Sequence, residues 1–262
     1  MFEELLEDVA QKNGLREVNT NLKLAAGLGA ILLCLLSTSY VPSLFIALVL
    51  TAAILLLARV DIKTYAELFI IPLWFAIMSI AAIILISGGH DLFWRWDILP
   101  SFSLSITRES INKGIFVFSR VLGGMSAMCF ISLTTPMTDI FTVFRQCRIP
   151  DIIIELMMII YRTIFILMDQ VVQIYTAQVM RLGYSSVKES LHSSALLCGA
   201  AFIASWDAGE DLVKAMDARC YDGKFAVLGE NRPVERKPLL ALAAFLSLSA
   251  AIVIFSGNIT MI

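Results

Sequence analysis

A chain of 262 residues in which 58% of side chains are hydrophobic and 16% are charged is too apolar for a soluble domain of this size; with a mean hydropathy of +0.82 it belongs to the membrane class. The formal net charge of -2 conceals charges crowded into the N-terminal stretch and the region after Thr134, a pattern that reads as membrane topology and not as a nucleic-acid surface. Five cysteines (Cys34, Cys129, Cys147, Cys198, Cys220) show no C-x-x-C spacing, so neither a zinc cluster nor a disulfide framework is indicated, and they read as small core residues.

Glu3, Glu4, Glu7 and Asp8 precede any apolar run, the opposite of a secretory leader, so no cleaved signal is expected. Five stretches are long and apolar enough to cross a bilayer, roughly 22–39, 42–58, 66–87, 113–133 and 238–256. A short uncharged turn ending in Pro42 separates the first two as a tight hairpin. Ala25, Ala26, Gly27, Gly29 and Ala30 in the first allow close helix approach. Lysines and arginines favour the cytoplasmic side. Lys12, Arg16, Lys23, Arg59, Lys63 and the basic residues from Arg145 to Lys237 fall inside if the N-terminus is cytoplasmic. The outer loop between the third and fourth spans then keeps Arg95 and Arg108, with Trp94 and Trp96 as interfacial anchors. The expectation is a multi-pass protein of the plasma membrane with the N-terminus inside, the C-terminus outside, and the lipid bilayer as its first partner.

The organisation that follows is a block of membrane helices over 1–133, a cytoplasmic segment over 134–237 and a last membrane helix over 238–262, an all-α membrane protein of about five spans. Residues 151–182 carry a continuous helical pattern in which Glu155, Arg162, Asp169, Gln173 and Thr176 share one face. A second pattern runs from Ser186 to about Cys220, with Glu210 ahead of Lys214 at i,i+4. The apolar run from Ala195 to Trp206 is too short to cross a membrane, and Arg162 interrupts the other, so both read as amphipathic helices at or beneath the membrane. Gly183 and Gly223 are the expected terminators.

Catalytic and metal-binding signatures are sparse. His90 and His192 have no second ligand at metal spacing, and His90 in Gly-Gly-His-Asp at 88–91 reads as loop surface. The single Gly-Lys, Gly223-Lys224, is followed by Phe225, so this chain lacks a P-loop, and no H-E-x-x-H or G-x-S-x-G occurs. No cofactor is expected in this chain.

Near the ends of the two amphipathic helices stand Met180-Arg181-Leu182-Gly183-Tyr184 and Ala218-Arg219-Cys220-Tyr221-Asp222-Gly223. Each arginine could simply complement a helix dipole, worth about 0.3 to 1 kcal/mol. Consecutive antiparallel or crossed helices would instead present the two elements at opposite ends of a bundle, which suits a pair of partner subunits. In these stretches the sequence resembles the T component of energy-coupling factor transporters of the cobalt and nickel branch. Ala218-Arg219-Cys220 matches that family's Ala-Arg-x triplet, and Met180 stands where the first triplet has Ala. Asn21-Leu22-Lys23-Leu24, Thr134-Thr135-Pro136 with Asp139-Ile140, Arg148-Ile149-Pro150, and Glu155 through Tyr161-Arg162 to Asp169 agree in order and spacing.

The resemblance implies a non-catalytic subunit. It would dock two ABC-type ATPases, which bind the ATP, through Arg181 and Arg219 with their neighbours Met180, Leu182, Gly183, Ala218 and Cys220. It would drive uptake of cobalt or nickel by a membrane-embedded substrate-binding subunit, and it leaves room for a small accessory membrane subunit. Glu155, Arg162, Asp169, Pro136 and Pro150 would shape the coupling helices. Two other classes stay open on the residues alone. An intramembrane lipid- or prenyl-transferring enzyme would need clustered carboxylates for Mg²⁺, for which Asp207, Glu210 and Asp211 are the candidates. A non-transporting scaffold would need neither.

Overall fold

The computed structural model describes residues 7, 9–86, 92–99, 102–221 and 235–256, with backbone alone at 85–86, 92–99 and 102–107. The described residues fall into two compact units, those up to Ile140 together with those from Glu235, and those from Phe141 to Tyr221. His90, Gly223 and Lys224 lie outside them.

In the first unit, helices α1 (Thr20–Leu36), α2 (Tyr40–Ala52) and α3 (Ile62–Ile86) are followed by strands β1 (Leu92–Leu99) and β2 (Phe102–Thr107), and then by α4 (Arg108–Thr134). A turn of π-helix, Ala53–Leu57, prolongs α2. Helix α5 (Met137–Gln146) carries the chain across the unit boundary. The second unit holds α6 (Asp151–Met180) and α7 (Val187–Ala218), and α8 (Arg236–Phe255) belongs to the first.

Among the described residues four segments are long and apolar enough to cross a membrane: Tyr40–Leu57, Ile62–Ile84, Arg108–Thr134 and Arg236–Phe255. Helix α1, at 17 residues, is shorter and spans about 26 Å at 1.5 Å per residue. Helix α4 is the hub: α1, α2 and α3 all pack on it, and α8 packs on α1 and α2. The expected outer loop contains an antiparallel hairpin in which Leu99 pairs with Phe102 and Trp96 with Leu104. The alternation Phe-Ser-Leu-Ser-Ile-Thr carries the period of two that this pairing uses.

At one end of these helices the N-terminal segment closes over the chain. Gly14 N–H donates to the Ala58 carbonyl at 3.0 Å. A Cβ at Gly14 would stand 2.4 Å from the Leu57 carbonyl oxygen, so only glycine allows this approach. Asn13 Nδ2 donates to the Leu133 and Thr134 carbonyls at 3.2 and 3.1 Å. Lys23 Nζ, on a side chain only 2% exposed, donates to the Thr134 carbonyl at 2.9 Å. These are the last carbonyls of α4, which the helix itself leaves unpaired. At the other end Arg120 Nη2 donates to the Leu35 and Ser37 carbonyls at 3.2 and 2.6 Å, closing the end of α1, with its guanidinium 4.5 Å from the Phe116 ring centroid. The cysteines divide: Cys34 is buried and Cys129 half-buried, whereas Cys147, Cys198 and Cys220 are exposed, so the expectation of core residues fails for those three. Cys147 directly follows α5, Cys198 lies on α7 and Cys220 follows the end of α7, all on exposed surface.

Replacing Lys23 with Met keeps the aliphatic volume and removes the cationic donor from the end of α4. Loss of such a buried charged donor is expected to lower stability by about 1.5 to 3 kcal/mol. Thermal unfolding of the purified protein in detergent measures it, and an unchanged transition would show that the contact is not structural.

Candidate functional site

Pro136 and Pro150 each precede a helix, where a fixed φ and a missing N–H cost nothing. The Pro136 carbonyl accepts from Asp139 and Ile140 N–H at 3.1 and 3.3 Å, starting α5, and the Pro150 carbonyl accepts from Ile153 N–H at 3.0 Å, starting α6. Phe141 of α5 is buried edge-on against Tyr161 of α6, ring centroids 6.0 Å apart. Ser186 caps α7 by accepting from Glu189 N–H at 3.3 Å, and Ser185 Oγ donates to the Glu189 carboxylate.

Helices α6 and α7 form an antiparallel hairpin tied at both ends. Beside the connection, Gln178 Nε2 donates to the Ser193 carbonyl at 3.2 Å, and Ser193 Oγ donates to the Gly183 carbonyl at 2.7 Å. At the far end Tyr221 Oη donates to Glu155 Oε2 at 2.8 Å. Arg181 therefore lies at one end of the hairpin and Arg219 at the other, separated by about 40 Å of helix. The face expected to run through Glu155, Arg162 and Asp169 is not uniform: Glu155 is buried by its contact with the end of α7, while Arg162 and Asp169 are exposed.

The two arginine elements share one backbone geometry. Arg181 closes α6 at φ -92°, ψ 13°, and Arg219 closes α7 at φ -98°, ψ 11°. The next residues, Leu182 and Cys220, are left-handed at φ 59° and 53°. After α6, Gly183 N–H reaches the Gln178 carbonyl at 2.9 Å and Leu182 N–H the Val179 carbonyl at 3.0 Å. After α7, Tyr221 N–H reaches Met216 at 3.1 Å and Cys220 N–H reaches Asp217 at 3.0 Å. Both ends are thus Schellman caps, in which backbone amides satisfy the final carbonyls. The left-handed position is filled by Leu and Cys and not by the expected glycines. Gly183 is needed for a different reason: a Cβ there would stand 2.7 Å from Ser193 Oγ.

Because the backbone completes both caps, the arginine side chains are not needed there. Arg181 and Arg219 are exposed, and neither guanidinium is in a hydrogen bond or ion pair with a described residue. Met180 and Leu182, which flank Arg181, are 81% and 74% exposed, and Ala218 and Cys220 are exposed beside Arg219. By contrast Glu210 and Asp211 lie 3.3 and 3.7 Å from Lys214 on an exposed face that also carries Asp207, an ion-paired surface and not an inward carboxylate cluster. Among the described residues no three His, Cys, Asp or Glu side chains converge on one point. Sequence reasoning missed the tie from Tyr221 to Glu155 and the left-handed pair, since nothing but the repeated Arg-x spacing marks them.

A left-handed non-glycine residue costs about 1 to 2 kcal/mol. Cys220→Gly is expected to raise stability by up to about 1 kcal/mol, and the β-branched Cys220→Val to lower it by a similar amount. Thermal unfolding of the two variants checks the order, and a stabilising valine would contradict the geometry.

Residues 11–228 match the family described as cobalt transport protein CbiQ. The chain is 40% identical over 245 residues to a putative fused cobalt transport protein CbiMQ of Methanocorpusculum labreanum, covering 93% of this chain and 40% of that longer protein. It is 27% identical to the cobalt transport protein CbiQ of Rhodobacter capsulatus, with 88% of each covered. It is 26% identical to the energy-coupling factor transporter transmembrane protein EcfT of Limosilactobacillus fermentum, with 69% and 70% covered. With its apolar helices and these relatives, the chain belongs to the CbiQ family of cobalt transport proteins, the membrane T components of energy-coupling factor transporters.

Proposed function

We propose that this T subunit couples ATP hydrolysis by two partner ATPases to cobalt uptake, with Arg181 and Arg219 as the two points of engagement. The observation that carries this reading is that both guanidinium groups are left over. Each stands on a helix end already closed by its own backbone, held rigidly and exposed. A guanidinium offers five donors in a planar fork and binds carboxylates or helix-terminal carbonyls in a desolvated groove. The apolar side chains beside Arg181 would cover the rim of such a groove. A separation of about 40 Å suits two copies of one subunit, each receiving one arginine. In this scheme a substrate-binding membrane subunit captures the ion, the ATPases bind the nucleotide, and this chain transmits force through the α6–α7 hairpin. Nickel is the other cargo compatible with the family.

The second unit then faces the cytoplasm together with the N-terminus, since 11 of the 20 lysines and arginines lie between Thr134 and Lys237. A cysteine placed at Ser186 in a chain lacking its own exposed cysteines should react with an impermeant maleimide only after the cells are opened. Labelling of intact cells would overturn this orientation.

Loss of a buried charged anchor costs about 2 to 5 kcal/mol, against under about 1 for a dipole contact. Arg219→Glu is therefore expected to insert and fold yet lose the ATPases on purification, and the double change with Arg181→Glu to abolish ATP-driven uptake. Arg181→Glu alone is expected to be milder, because Met180 departs from the family triplet. A double variant that copurifies with ATPases and transports at the normal rate would reduce both arginines to helix-end charges.

A further inference from the structure

A cavity of about 500 Å³ opens in the membrane unit between α1, α2 and α8. Its walls are almost wholly aliphatic and aromatic, formed by residues such as Leu22, Ala26, Leu50, Ala241, Leu242 and Phe245. Polar groups gather at one end, where Lys23, Glu235 and Lys237 line it. The amino group of Lys23 is taken up by the end of α4. Lys237 and its neighbour Arg236 are exposed and in no ion pair with a described residue, and Glu235 is not paired with either. The charged residues that line this end are two cations, Lys23 and Lys237, and one carboxylate, Glu235, so it is positive, and it coincides with the first turn of α8, the positive end of that helix.

We propose that the cavity is a lipid site that holds one hydrocarbon chain of an anionic membrane lipid, with the lipid phosphate at Lys237 and Arg236. The volume falls in the range of single small-ligand sites, and a helix of a partner protein, about 10 to 12 Å across, does not fit it. The walls lack the convergent polar groups that would orient a water-soluble ligand. The cations sit where α8 begins, the depth of a headgroup for a helix that starts its crossing there. The lipid would fill the gap between α8 and the α1–α2 pair, fixing the last membrane helix against the rest of the unit. This site does not depend on how the ATPases engage.

Native mass spectrometry of the full chain, released from detergent with phosphatidylglycerol or with phosphatidylcholine of identical chains, tests it. The unaltered protein is expected to retain the anionic lipid at least about fivefold over the zwitterionic one, the preference about one surface cation provides. Lys237→Glu is expected to lose the preference while still retaining lipid, and Ala241→Trp, which fills the cavity, to lose retention of both lipids. Ala26→Phe fills the same space from α1 and serves if the tryptophan variant does not fold. Equal retention of the two lipids by the unaltered chain, or undiminished retention by the filled variants, would overturn the proposal.

Discussion

Every helix ends in carbonyls that it cannot pair, and in or beside hydrocarbon those groups must find a donor from elsewhere in the chain. The membrane unit answers with side chains. Lys23 and Asn13 close the end of α4, and Arg120 closes the end of α1. Each cation placed deep in an apolar unit thereby has a structural assignment, and each long-range bond also fixes one helix against another. The N-terminal segment, through Asn13, seals the last turn of α4 before the chain passes into α5.

The second unit relies on the backbone itself, as the membrane unit also does after its π-turn, where Arg59 is left-handed at φ 54° and Val60 N–H reaches the Ile54 carbonyl at 3.4 Å. Its helix ends fold back on themselves, with a left-handed residue supplying the turn, and the cost is accepted at Leu182 and Cys220 where glycine would have been cheaper. A third such residue in this unit, Arg148, links α5 to α6, where Ile149 N–H reaches the Phe144 carbonyl at 3.3 Å. Strain of this sort persists when the surroundings over-determine it. Here Ser193 holds Gly183 on one side and Glu155 holds Tyr221 on the other. The result is two rigid ends on which an arginine has no internal task.

Much of this was legible in the sequence because the signals were strong and local. The apolar runs fall on α1, α2, α3, α4 and α8, and the Arg-x-Gly and Arg-x-Tyr stretches fall at the ends of α6 and α7. The failures have physical causes. Helix α3 starts at Ile62, before the apolar run at 66–87 that marks it, because Lys63 and Thr64 occupy a first turn that hydropathy alone does not register. The hairpin was hidden because Arg95 and Asp97 interrupt an otherwise apolar strand. Glycine was expected at the left-handed positions, whereas Gly183 serves close packing against α7 and the turn falls one residue earlier. Neither the use of Lys23 nor that of Glu155 could be read from spacing, since each partner lies far away in the chain.

The position of Cys220, exposed and adjacent to Arg219, makes the central claim directly testable. With Cys147 and Cys198 changed to serine, a benzophenone maleimide attached at Cys220 can be irradiated in the assembled transporter, in the membrane. If Arg219 is a point of engagement, the photoproduct is expected to carry the mass of an ATPase subunit joined to this chain. Photoproducts confined to lipid, or to this chain alone, would contradict it.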